Sequence, residues 1–352
     1  MSELKTNKIS TNDQNNVAID NALGLKSYTT TQRDALTSAA GDTIYNTTDS
    51  KVQTYNGSSW DSLGNPFVNV DFLVIAGGGA GAGNNNGNGY GSGGGGAGGY
   101  RTSYGSGTIS GGSSTVETDY RITADGSTTY TVTIGAGSGT ERVIASNSKF
   151  AEIISIGGGS SENNNTFNGQ TGGSASGVTG FTSTNIGYGL EGQGSNGGQS
   201  NDAGGGGGGA SAVGANGSTP NGGAGGAGQS SSITGSAVTR GGGGGGAGRA
   251  AGSGGAGGSG GGGAGANGAN GGVGLTGTNG TVNTVGGGGG GSGGTSPSSD
   301  SNGGSGIVIL RWATADATIG GTRTGLTDGG VQTDGSDSYI VFTAGTGTIT
   351  FS

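Results

Sequence analysis

Two stretches of this sequence set side-chain amides beside an aromatic ring: Asn84, Asn85 and Asn86 with Tyr90, and Asn163, Asn164 and Asn165 with Phe167. A ring face stacks on a sugar and amides hydrogen-bond its hydroxyls, so the combination suits saccharide recognition. The same residues also make ordinary polar turns. Arg240 and Arg249 are the only charged residues between Asp202 and Asp300. Each is either a receptor contact or a donor to carbonyls left free at the end of an extended segment. Trp60 and Trp312 read as core or interface anchors rather than ligand stackers.

Catalytic chemistry finds little to work with. The chain has no His and no Cys. That removes the commonest general base, the thiolate nucleophile, the disulfide and the commonest transition-metal ligands. Carboxylate pairs of the glycosidase kind are represented by Glu117/Asp119 and Asp334/Asp337, which fall in turn-like sequence and read as solvated. The same oxygens are of the type that ligates Ca²⁺, but no EF-hand loop or calcium repeat is present. Gly91 to Gly96 fits G-x-G-x-x-G, as composition alone produces in a glycine tract. No Lys follows a Gly, so there is no P-loop. The expectation is a protein that is not an enzyme and carries no metal and no cofactor.

The 352 residues carry a net charge of −8, with 28% hydrophobic and 10% charged side chains. The acidic balance argues against nucleic acid and anionic membranes as partners. No apolar run approaches the roughly 20 residues of a membrane span. Residues 1–10 lack the apolar segment of a secretory signal. The expected product is soluble, made in a cytosol and released by lysis.

The elements that must position the candidate residues are dominated by glycine. Residues 157–306 hold 62 of the chain's 96 glycines, with unbroken runs at 204–209, 241–246 and 286–291. Such a tract cannot build a side-chain core. It is a flexible spacer or a structure held by its backbone. Ordering glycine costs about 1–2 kcal/mol of backbone entropy per residue. Extended helices of the polyproline II kind, with three residues per turn, can pack closely when no Cβ keeps them apart. Each N–H can then reach a neighbour's carbonyl. Three features favour order. Polar patches such as 216–221 and 229–232 interrupt the tract as turns do. Charge is too sparse to expand it. Two apolar strand-like runs, 68–76 and 306–312, frame it.

The predicted fold class is mostly β with a polyglycine II helix bundle and very little α-helix. Residues 1–27 form an N-terminal anchor segment with an apolar patch from Val17 to Leu25. Residues 28–66 form a small β-hairpin module. A helix is predicted over 31–38, capped by Thr31 with Asp34, and strands over 43–46, 51–55 and from Trp60 to Leu63. Asn56-Gly57 supplies a hairpin turn. A module this small is expected to oligomerise. Residues 67–312 form the glycine-rich domain, with strands at 68–76, 130–134, 142–145, 150–156 and 306–312 and a hairpin turn at Asp125-Gly126. Residues 313–352 form a C-terminal β-strand module with turns at Asp328-Gly329 and Asp334-Gly335 and strands at 339–343 and 346–351.

Three motifs in this order, V-D-F-L-V-I-A-G-G-G (70–79), G-G-G-G-A-G-G-Y-R (93–101) and G-S-G-I-V-I-L-R-W (304–312), resemble the glycine-rich domain of bacteriophage tail fibres and tail-tip adhesins. The stretches 28–36 and 45–60 are similar to a small module common in fibre and virion-surface proteins. Residues 336–351 are similar to the strand pair that often closes such chains. The resemblance implies a virion protein whose glycine-rich bundle carries loops that contact the host surface, a polysaccharide or an outer-membrane protein. It implies a homotrimer in many fibres and docking to other virion proteins through the N-terminal segment. No cleaved chaperone domain is recognisable. The alternative is a purely structural virion protein, a capsid fibre or tail-attachment subunit without receptor contact.

Overall fold

A computed structural model describes residues 24–63, 67–84, 89–105, 109–163, 168–181, 183–321 and 323–352. The chain divides into two compact units, Met1–Pro66 and Phe67–Ser352. Most of the predicted anchor segment lies outside the described residues.

The first unit is a four-stranded sheet in the order β1 (Ser27–Tyr28), β2 (Thr43–Asn46), β3 (Lys51–Tyr55) and β4 (Trp60–Leu63). β1 pairs with β2 in parallel, and the remaining pairs are antiparallel. The predicted helix is shorter and earlier, α1 (Thr30–Asp34), and its capping box is Thr29 with Gln32. The Gln32 amide can accept from the Thr29 backbone N–H, and this pair sets the start in place of the predicted Thr31 with Asp34. Asn56-Gly57 turns β3 into β4, with Gly57 at φ +103°. The interior is polar. Asn46 is fully buried and Gln53 nearly so, and Asn46 Nδ2 donates to Gln53 Oε1 at 3.0 Å. Arg33 Nη1 donates to the same oxygen at 2.9 Å. A satisfied network of this kind rigidifies a module too small for a large apolar core.

The second unit is mostly β around a glycine lattice. Its strands are β5 (Phe67–Ile75), β6 (Tyr100–Thr102), β7 (Tyr120–Thr123), β8 (Thr129–Thr133), β9 (Ser148–Phe150) and β10 (Ile153–Ser155), then β11 (Gln229–Ser231) and β12 (Val238–Arg240). The chain closes with β13 (Ile307–Ala313), β14 (Ile319–Gly320), β15 (Leu326–Asp334) and β16 (Asp337–Phe351). The large sheet runs β10-β9-β8-β16-β13-β5-β6, with β7 beside β5 and β14 and β15 beside β16. Its two ends nearly meet. Gly99 N–H donates to Ile156 O at 2.8 Å, and Arg101 Nη1 to Ile154 O at 3.1 Å.

β5 and β13 explain why the two framing runs are continuously apolar. Side chains alternate across a strand. Val68, Val70, Phe72 and Val74 face one core together with Trp312, Phe342 and Phe351. Leu73 and Ile75 face the other way, onto Tyr100, Ala210, Ile233 and Val285, where glycine passes reach the sheet. A strand buried on both faces loses its polar alternation.

Beyond that second core the glycine passes are hydrogen-bonded sideways rather than in a ladder. Gly204 and Gly207 donate to Ala247 and Gly244, Gly205 and Gly208 to Val178 and Ala175, and Gly206 and Gly209 to Ala215 and Ala212. Gly242 and Gly245 donate to Gly260 and Gly263, Gly243 and Gly246 to Gly226 and Gly223, and Gly244 and Ala247 to Gly95 and Ser92. Each residue serves a different neighbour, and the same neighbour returns every third residue. A Cβ added at Gly207, Gly243 or Gly246 would fall on the carbonyl oxygen of Gly95, Gly207 or Gly204 respectively. Glycine is required here by close approach of backbones.

Several predicted elements differ. Residues 142–145 form no strand; their amides and carbonyls pair with lattice segments, as Ala145 N–H does with Gly158 O at 3.1 Å. The stretch 150–156 folds back on itself as β9 and β10, turning at Ala151 with φ +49°. Asp125-Gly126 is a turn but closes no hairpin, because β7 pairs with β5 and β8 with β16. The Asp125 carboxylate accepts the Thr128 and Ser127 N–H groups, and these bonds hold its pKa far below the usual range. The tail is one 15-residue strand instead of two. Gly345, at φ +95°, lies where its partners change from β13 and β15 to β8. Residues 313–352 are therefore an integral part of the large sheet.

Candidate functional site

The lattice brings three of the candidate binding residues together. Asn84 ends one pass and is fully buried. Its backbone N–H donates to Ser298 Oγ at 2.8 Å, and its Nδ2 donates to Tyr90 O at 2.7 Å. It braces Tyr90 from inside. Tyr90 is half-buried. The Arg249 guanidinium carbon lies 4.9 Å from the centre of its ring. Arg249 also forms an ion pair with Asp202, a residue held at φ +61°. Phe181 meets the Tyr90 ring edge-on at 5.9 Å and 88°.

Four more contacts tie these loops into one patch. Ser200 Oγ donates to Phe181 O at 2.8 Å. Gly91 N–H donates to Asp202 O at 3.1 Å, and Arg249 N–H to Pro220 O at 2.7 Å. Thr219 Oγ1 donates to Asn201 O, beside a cis Thr219-Pro220 bond. Five segments distant in sequence thus meet at Tyr90, Phe181, Asp202, Pro220 and Arg249. The Tyr90 ring is taken up by Arg249 and Phe181. The ring free to stack on a ligand is Phe181, which is 55% exposed. A cation–π contact and a partly buried ion pair are each worth about 1 kcal/mol, so this geometry orients Arg249 at modest gain to the fold.

Asn163 lies in a second patch. Its Oδ1 accepts from Arg142 Nη2 at 2.8 Å, and its Nδ2 donates to Glu141 Oε1 at 2.6 Å. Glu141 N–H donates to Asp300 Oδ2 at 3.1 Å, and Asp300 Oδ1 accepts Gly83 N–H at 2.7 Å. Asp300 thereby links this patch to the pass that ends at Asn84. Burial raises the Glu141 pKa, and the nearby Asp300 carboxylate adds to the rise. Arg240 is in neither patch and is buried. Asn85, Asn86, Asn164, Asn165 and Phe167 lie outside the described residues.

Three of the four carboxylates read as solvated turns, Glu117, Asp334 and Asp337, are partnered. Glu117 pairs with Arg101. Asp334 and Asp337 both hold Arg311, at 2.9 and 2.8 Å. No group of three or more His, Cys, Asp or Glu that could hold a metal occurs among the described residues. None of their helices is long and apolar enough to cross a membrane.

The family described as a glycine-rich domain matches residues 47–313. The chain belongs to that family. The match ends at Ala313, the last residue of β13. It begins at Thr47, inside the first unit. No curated protein and no solved structure matches the chain.

Proposed function

We propose that this chain is a bacteriophage fibre or tail-tip protein that attaches the virion to a bacterial surface. Its lattice is a polyglycine II type bundle, and the patch of Tyr90, Phe181, Asp202 and Arg249 is the contact face. One observation carries this reading. Loops distant in sequence, with an exposed ring, an oriented arginine and a carboxylate, are gathered by a backbone lattice that needs no side chains of its own. Such a scaffold lets tip residues vary without disturbing packing. The three motifs that resemble those of phage fibres support the same reading. The receptor is a surface polysaccharide or an outer-membrane protein. The chain assembles as a homotrimer and docks to other virion proteins through its N-terminal segment, so that several weak tips act together.

The test is adsorption. Purified chain is expected to bind cells of the bacterium that the phage infects and to block its adsorption. Phe181→Ala and Arg249→Ala are expected to weaken that block at least about tenfold, as loss of a contact worth more than about 1.4 kcal/mol does, while the melting temperature falls by no more than a few degrees. Protein that binds no host cells, or both variants blocking like the parent, would overturn the reading.

A further inference from the structure

Arg240 ends β12 opposite Gln229 of β11, and only 8% of its surface is exposed. Its Nη1 is buried without a hydrogen bond, and it forms no ion pair with any described residue. Beside it Tyr100 is fully buried among Ile233, Val285 and Ile307. The Tyr100 hydroxyl lies within loose reach of the Ser231 hydroxyl but closes no hydrogen bond of normal geometry. Burial pushes this phenol up to about 12, so it stays an O–H donor. Burial lowers the Arg240 pKa, but a guanidinium keeps its proton regardless. Ser231, two residues along β11 from Gln229, lies next to Tyr100. Its oxygen accepts Ile233 N–H at 3.3 Å, which leaves its own proton to donate.

Buried charges in native proteins are paired, and an orphaned buried donor points to a bound water or ion. Here a permanent cation and two hydroxyls are neighbours, with no carboxylate among the described residues paired to the cation. Tyr100 is the one titratable group among the described residues that acts on Arg240. We propose that Arg240, Tyr100 and Ser231 bind a small monovalent anion of the halide class as a structural ion where the glycine passes meet the sheet.

The experiment uses the full chain. Crystals soaked in sodium bromide are expected to show an anomalous peak within hydrogen-bond reach of Arg240 Nη1 and the Tyr100 hydroxyl. In solution the apparent folding constant is expected to rise about tenfold per tenfold increase in chloride above its Kd, and not in gluconate at equal ionic strength. Arg240→Gln is expected to lose this response, and Tyr100→Phe, which keeps the ring, to weaken it. A water, or a carboxylate of a second copy, against Nη1 in place of bromide overturns the proposal. So does a bromide peak with equal chloride responses in the parent and Arg240→Gln, which means an adventitious ion only. The parent crystal and chloride series decide the matter even if a variant fails to fold.

Discussion

Gly243 shows what a single residue does in this molecule. Its N–H donates to Gly226 O at 2.9 Å, and a methyl group there would occupy the place of the Gly207 carbonyl. Gly243→Ala is expected to cost at least about 1–3 kcal/mol, the range for overpacking a tight interior. The control is Gly329→Ala, where the nearest atom is the far end of Gln332 at 3.7 Å; a change within about 0.5 kcal/mol is expected. Chemical denaturation measures both, and equal costs would contradict the close-approach account. Glu141 belongs to the same scale. Its folded-state pKa is raised above the ordinary 4.5, first by burial and then by Asp300. A carboxyl raised in this way contributes stability below its unfolded pKa and loses it as pH rises through the folded value. Glu141→Gln keeps an acceptor for Asn163 and cannot ionise. Its melting temperature is expected to match the parent near about pH 4 and to exceed it increasingly toward neutrality; parallel pH profiles would remove Glu141 from the account. The sequence showed Tyr90 and Arg249 as separate candidates. It gave no sign that Phe181 and Asp202 would join them, because each comes from a different pass, and a run of identical glycines does not encode which pass lies next to which.

At the scale of elements, β16 decides the fold of the second unit. Its first half pairs with β13 and β15, and its second half with β8 and β14. A chain cut after Ser336 loses a central strand with Ile340, Phe342, Ile349 and Phe351, all fully buried. Burying one such side chain contributes about 1.5–3 kcal/mol. The four together amount to about 6–12 kcal/mol, which is as much as the whole stability of many domains. Truncated protein is expected to be insoluble or degraded by dilute protease, and a truncated form that melts cooperatively would show the tail to be an appendage. β2, β3, β4, β5 and β13 were legible in the sequence because alternation or a continuous apolar run is a local signal. The continuity of β16 was not, since the gap at 344–345 between the two predicted strands closes only when β8, far away in the chain, supplies a partner for the second half. Residues 142–145 failed in the opposite sense. They carry strand-like side chains, but their backbone groups are claimed by glycine passes.

For the whole molecule, the balance is between many weak bonds and an expensive backbone. Each hydrogen bond returns about 0.5–1.5 kcal/mol, against about 1–2 kcal/mol of entropy for each residue held. No pass stands alone, and each holds only when its neighbours are in place on several sides. The lattice amides are therefore expected to exchange as one cooperative block. Those of 204–209 and 242–247 should be protected like those of β5 and β13, with exchange rates read by mass spectrometry. Fast exchange through these passes, with the strands still protected, would show a loose tether instead.

The three-residue return of partners sets a rule for how such chains can change length. Adding one glycine within 241–247 turns every later donor by a third of a revolution and hands it to the wrong neighbour. Adding three slides the pattern along by a whole step and leaves the pairing intact. Indels inside the bundle are thus quantised in triplets of residues, while the reversals between passes are free to grow or shrink by any number.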